Sequence, residues 1–169
     1  GLGNRRVTPD AIGPRATDFL LVTRHLVQTM PQDFSALRPV SALAAGVTGT
    51  TGIESGELIG AVVKKLKPAC LIAVDALASR SLRRVCRTIQ LADTGITPGS
   101  GVGNRRSALD RGTLGVPVIA VGIPTVVDAD PRAGLFLTPR DIDQRILELK
   151  EYVLAFRQEL SRSLGLAGK

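Results

Sequence analysis

Short strand-like runs alternate along this chain with segments of helical periodicity, and that alternation restricts it to an α/β architecture. Val40 to Ala45, Cys70 to Val74, Thr88 to Ala92 and Val116 to Val121 are the strand-like runs. Arg15 to Gln28 carries Ala16, Phe19, Leu20, Thr23, Leu26 and Val27 on one helical face and is entered through Gly13-Pro14. Ile53 to Leu66 repeats Leu58, Ile59, Val62, Val63 and Leu66 at helical spacing and is stopped by Lys67-Pro68. Ala76 to Arg84 reads as a short helix. Thr138-Pro139-Arg140-Asp141 supplies an N-cap, a first-turn proline and an acid, followed by Ile142, Ile146, Leu149, Val153, Phe156, Leu160 and Leu164. Apolar strands joined by helical crossovers imply a mostly parallel sheet covered on both faces. The expected fold is one α/β domain over residues 1–169, a three-layer sandwich. Residues 137–165 close it with an amphipathic helix that packs against the domain or a partner subunit.

A chain of 169 residues with 44% apolar side chains can bury a core, and that core must be aliphatic, with no Trp, one Tyr and four Phe. The same scarcity argues against single-stranded nucleic-acid binding, which leans on aromatic stacking. Arginines carry most of the net charge of +7: Arg80, Arg83, Arg84 and Arg87 in one cluster, Arg105, Arg106 and Arg111 in another. That balance suits a solvated surface or an acidic partner; charge alone leaves phosphate binding open. Cys70 and Cys86 form neither a disulfide framework nor a zinc pattern, and Cys70, opening an apolar run, is expected to be a small buried hydrophobe. No stretch reaches the length of a membrane span and no signal peptide is visible, so the expected location is cytoplasmic. The chain opens at Gly1 without an initiator Met, as a fragment or a processed form does.

The glycine-rich segments, Gly46 to Gly52 and Pro98 to Asn104, invite a phosphate-binding reading, but neither matches. Gly99-Ser-Gly101-Val-Gly103 lacks the dinucleotide spacing and no Gly-Lys-Ser/Thr follows Gly46. A tight turn or substrate groove is the better use of these glycines. Ser100 is not in a nucleophile elbow, and the single histidine, His25, falls inside the first expected helix as a structural residue. What remains is carboxylate chemistry. Asp10 follows a glycine turn and is fenced by Pro9 and Pro14, while Asp75 ends an apolar run, where open α/β sheets present catalytic groups. Asp93, Asp128 and Glu54 are further candidates. Asp93-Thr94-Gly95 shares a triplet with pepsin-like and retroviral aspartic proteases, but the α/β pattern is wrong for those all-β enzymes.

Gly1 to Pro14, Arg38 to Glu54, Val63 to Arg80, Thr88 to Asn104 and Leu114 to Ala129, taken in order, resemble the germination proteases of spore-forming bacteria. The resemblance implies an endopeptidase that degrades small acid-soluble spore proteins at germination, made as a zymogen in the forespore and assembled as a homotetramer. It implies a fold like that of the hydrogenase maturation proteases. The family's two proposed catalytic aspartates lie in Thr-Pro-Asp-Ala and Asp-Ala-Leu-Ala motifs, which match Asp10 and Asp75. The family carries an apolar strand before Gly-Leu-Gly-Asn and a long segment before the closing helix; here only a few residues bridge Ala129 and Leu137.

The expectation is therefore a paired-aspartate peptidase needing no metal or other cofactor. Asp10 and Asp75 activate water, with Asp93 and Glu54 as possible additions. Gly49, Gly52, Gly99, Gly101 and Gly103 line the groove and offer amides to an oxyanion, and Arg80 and Arg105 hold an acidic stretch of substrate. The alternatives are a catalytically inactive relative that binds or assembles, and a metal-dependent maturation-type protease in which the same aspartates ligate a cation.

Overall fold

Two long strands organise the molecule. In the computed structural model, which describes residues 1–99 and 107–127 together with Gln144, Leu147 and Glu151, β1 (Leu71–Ser79) pairs in parallel with β3 (Val118–Val127). A third strand, β2 (Gln90–Ala92), pairs antiparallel with the far edge of β3, giving the order β1-β3-β2. Residues 120–125 of β3 are continuously buried, as expected of a central strand covered on both faces. The β1–β3 register sets Asp75 opposite Gly122 and shifts between Leu77 and Ala78.

The free edge of β1 is met by the first residues of the chain. Leu2 donates its N–H to Val74 O at 2.8 Å and forms a parallel bridge with Gly46, while Gly1 O accepts from Ala45 N at 3.1 Å. The chain then turns through a 3-10 segment (Thr8–Asp10) into α1 (Ile12–Asp18). Three short helices follow, α2 (Arg24–Thr29), α3 (Pro31–Phe34) and α4 (Thr48–Thr51). The longest described helix is α5 (Ser55–Leu66), ended by Lys67 in the left-handed region, and α6 (Arg111–Leu114) leads into β3.

Core residues divide by strand parity. Val74, Val121 and Ile123 pack with Ile12 and Ala16 of α1. Ala73 and Val118 pack with Leu2, Ala45, Leu109, and Ile59 and Val63 of α5. Neighbouring strand residues point to opposite faces, so α1 and α5 cover opposite sides of β1. The described structure is a mixed α/β fold on a small open sheet.

Several expectations are corrected. Ala76 to Ser79 continue β1 and only Leu82–Arg84 form a 3-10 turn, because the ladder with β3 outweighs the helical propensity of Ala-Leu-Ala. The helix expected over Arg15 to Gln28 breaks after Asp18. Thr23, 4% exposed, instead bonds the Arg38–Val40 segment: its Oγ1 donates to Arg38 O and accepts from Val40 N at 2.9 Å. Phe19, Leu20, Leu21 and Val22 are consequently exposed rather than part of a buried stripe. Val40 to Ala45 is extended without forming a strand; its described backbone contacts are to Thr23 and Arg24 at Val40 and to Gly1 at Leu43 and Ala45, too scattered for a ladder. The buried cysteine is Cys86; Cys70 is half-buried, burial pushes its thiol up, and both are free thiols. Of the closing helix, Gln144, Leu147 and Glu151 are helical, and its expected apolar stripe lies outside the described residues. Among the described residues no helix is long and apolar enough to cross a membrane.

Candidate active site

Asp10 is held by a loop that folds back on its own beginning. Asn4 N donates to Asp10 Oδ2 at 2.7 Å, Val7 N to Asn4 O at 3.0 Å and Asp10 N to Val7 O at 2.8 Å. Gly3 makes this turn at φ 107, and a Cβ there would lie 2.1 Å from Asp10 O and 2.8 Å from its Oδ1. Only glycine meets both demands. Pro9 fixes the entry to the 3-10 turn that carries Asp10. Outside the loop, Arg5 forks onto Asp18, with Nη2 at 2.9 Å from Oδ1, and reaches Pro14 O at 3.0 Å. Arg5's hydrogen bond holds the Asp18 carboxyl below its usual range. This exposed pair ties the Asp10 loop to α1.

Asp75 lies in the middle of β1 rather than at its end, and is 6% exposed. Its Oδ1 accepts the N–H of Ala76 at 2.9 Å. Strand parity points Asp75 to the same face as Ala73 and Leu77. The facing residue on β3, Gly122, has no side chain, and Leu77 fills that space: a Cβ on Gly122 would lie 2.2 Å from Leu77 Cδ1. Asp75 is mid-strand with respect to β3, yet the neighbouring segment on its other side leaves the sheet immediately after Leu2.

Three backbones converge there. Gly13 of α1 lies so close that a Cβ would be 2.2 Å from Leu2 O and 2.4 Å from Val74 O, and a Cβ on Gly1 would be 2.2 Å from Gly13 O. The segment leading to Asp10, the helix following it and the strand bearing Asp75 are thus locked together backbone to backbone. In this chain burial pushes the Gly1 amino group down to about 6, while the Asp75 carboxylate works in the opposite direction.

The other candidates fall elsewhere. Asp93 is exposed just beyond β2. Continuing the ladder from Ala92↔Ala120 sets it about 10 Å along the strands and about 10 Å across them from Asp75. Glu54 is the residue before α5, and its carboxylate accepts Ser107 N at 2.7 Å and Ser107 Oγ at 3.3 Å, a fastening between residues far apart in the chain. Ser55, 2% exposed, donates to Gly46 O at 2.8 Å, so the first turn of α5 anchors the Gly46 loop as well. Gly49 and Gly52 stand open, with nothing within 4 Å of a built Cβ. Gly99 turns at φ 72 behind buried Pro98. Arg80 is exposed at the end of β1, and His25 is exposed on α2 rather than enclosed. Gly101, Gly103, Arg105 and Asp128 lie outside the described residues. Sequence reasoning passes over Gly13, reading it as a helix entrance; its close approach to Leu2 and Val74 is made only in the fold.

Two rigidly mounted carboxylates on adjoining segments can exchange protons with water or ligate a cation through oxygen. Among the described residues no group of three or more His, Cys, Asp or Glu side chains is placed to hold a metal ion.

The motifs that build this junction belong to one family: the sequence model of the germination proteases matches residues 1–134, the span that contains Asp10, Gly13 and Asp75. The chain belongs to the germination protease family. It is 53% identical over 169 residues to the germination protease of Halalkalibacterium halodurans, covering 99% of this chain and 44% of that one. Over 130 residues it is 61% identical to the Bacillus velezensis germination protease and 59% identical to that of Priestia megaterium, covering 76% of this chain and 35% of each relative. The chain thus spans less than half the length of these family members.

Proposed function

We propose that the Asp10–Asp75 junction is the hydrolytic centre of an endopeptidase acting on small acid-soluble spore proteins during germination. The observation that carries this reading is the backbone lock at Gly13. It fixes the Asp10 loop against the Asp75 strand, on supports that require glycine at three separate points. Such a mount is what a carboxylate pair needs to hold one water and one peptide carbonyl in register. One carboxylate takes the proton of the attacking water, and the other, protonated, supplies a proton to the departing amine. Amides of the Gly46–Gly52 and Gly99 turns donate to the oxyanion, and Arg80 contacts the substrate chain beyond Asp75. The three-layer sandwich, the homotetramer, the zymogen form and the spore-core location belong to this same reading.

A second reading has one observation in its favour. Val40 and Leu43 are each 36% exposed along an extended segment that belongs to no described strand, a surface suited to assembly by an inactive relative. Digestion of a purified spore protein, with and without chelator, separates the readings. Chelator-insensitive cleavage supports the aspartate pair, chelator-sensitive cleavage supports a metal-dependent protease, and no cleavage by folded chain supports the assembly role.

A further inference from the structure

Between Asp75 and Asp93 the sequence contains no acidic residue, yet it contains Arg80, Arg83, Arg84 and Arg87. In the fold these four are exposed on one short arch that joins β1 to β2. The arch is pinned at both feet. At the first, Ser79, 5% exposed, donates from Oγ to Ser81 O at 2.9 Å and accepts from Ser81 N at 3.1 Å. At the second, buried Cys86 donates its N–H to Pro124 O at 2.8 Å, with Val85 buried beside it. Between them the backbone is tightened by Arg84 N to Ser81 O at 3.1 Å and Arg87 N to Arg84 O at 3.2 Å. Among the described residues no carboxylate pairs with these four guanidinium groups, whereas Arg5 is paired with Asp18. With its backbone pinned in this way, the arch itself needs little ordering when its guanidinium groups bind an anion.

We propose that the arch Arg80 to Arg87 is an exosite for an acidic stretch of the polypeptide substrate, with Arg83, Arg84 and Arg87 as specificity-determining residues. The inference rests on the peptidase reading above, and deepens it. Ser79 lies four residues beyond Asp75 on β1, about 13 Å along the strand, so an extended chain lying over Asp75 and running with β1 arrives at the arch. Leu82 is the large apolar side chain exposed on the arch, at 45%, and the arch has no aromatic residue on which a nucleic-acid base could stack. Carboxylates spaced along a flexible peptide match guanidinium forks, which bind them two oxygens at a time.

The test is fluorescence anisotropy with a labelled peptide of alternating glutamate and serine, on the Asp75→Asn chain so that nothing is cleaved. Replacing Arg83, Arg84 and Arg87 together by Gln is expected to weaken binding about tenfold at low ionic strength, with most of it retained when the three are Lys. Binding to the unsubstituted arch is expected to weaken as salt rises. All three positions are exposed, and an unchanged melting temperature verifies the fold. Equal affinity of the Gln and unsubstituted chains, or binding indifferent to salt, overturns the proposal. So does a DNA duplex that binds the arch more tightly than the peptide and is lost in the Gln variant. Because binding is read without catalysis, a failure of the aspartate mechanism leaves this result standing, and the reverse holds.

Discussion

The N–H of Leu2 donates to the carbonyl of Val74 at 2.8 Å, and this bond joins the two candidate catalytic segments one residue short of Asp75. The Gly3 turn, the Asn4 amide on the Asp10 carboxylate and the proline-fixed 3-10 segment follow directly beyond Leu2. Gly13 closes the junction from the side of α1.

Gly13→Ala is expected to lower stability by about 3 kcal/mol, because the new methyl meets two backbone oxygens that cannot swing aside. Gly49→Ala is the control. It sits in α4 with open space around it and should raise stability by about 0.5 kcal/mol through helix propensity. Urea denaturation of both variants checks the contrast, and equal effects would contradict the close packing at Gly13.

Among the described residues Thr125 Oγ1 is buried without a hydrogen-bond partner, on a residue 4% exposed at the register shift of β3. Replacing that hydroxyl by a methyl removes a desolvated polar group while keeping the shape. Thr125→Val should therefore raise stability by about 1 kcal/mol, read as a higher melting temperature. A loss of similar size would mean that the hydroxyl has a partner.

Glu54→Gln should cost about 1 kcal/mol by replacing a charged acceptor with a neutral one at Ser107. Amide exchange at Ser107 is expected to quicken in the variant. Unchanged exchange would show that Glu54 does not fasten this segment to α5.

The Arg5–Asp18 pair carries a pH signature. Asp18 is depressed from its ordinary value of 3.8 chiefly by the hydrogen bond from Arg5. A depressed carboxylate adds stability above the unfolded value, and that contribution is lost as pH falls from 3.8 through the lower value in the fold. Asp18→Asn should accordingly lower the melting temperature slightly at pH 7 and low salt, and should make no difference once Asp18 is protonated. Because the pair is exposed, added salt should shrink the effect. A difference that persists at the lowest pH would contradict this account.

How much of this was legible in the residues depends on whether the signal was local. The glycine turn, Pro9 and the periodicity of Ile53 to Leu66 are local, and α5 lies within that window. The extension of β1 through Ala-Leu-Ala-Ser was hidden, because it is decided by pairing with Ile123 to Val127, more than forty residues away. The break of the first helix was hidden too, since it depends on Thr23 reaching Arg38 and Val40. Asp10 and Asp75 could be singled out from their motifs. Gly13 as the point where their supports meet could not, for its neighbours Leu2 and Val74 come together only in the fold.

The most direct test of the central claim is digestion of a purified small acid-soluble spore protein by this chain, by Asp10→Asn and by Asp75→Asn, each verified as folded and assayed with and without chelator. The account predicts cleavage by the unsubstituted chain that ignores chelator and falls by a factor on the order of 1,000 in each variant. Cleavage that survives either substitution, or that chelator abolishes, would contradict it.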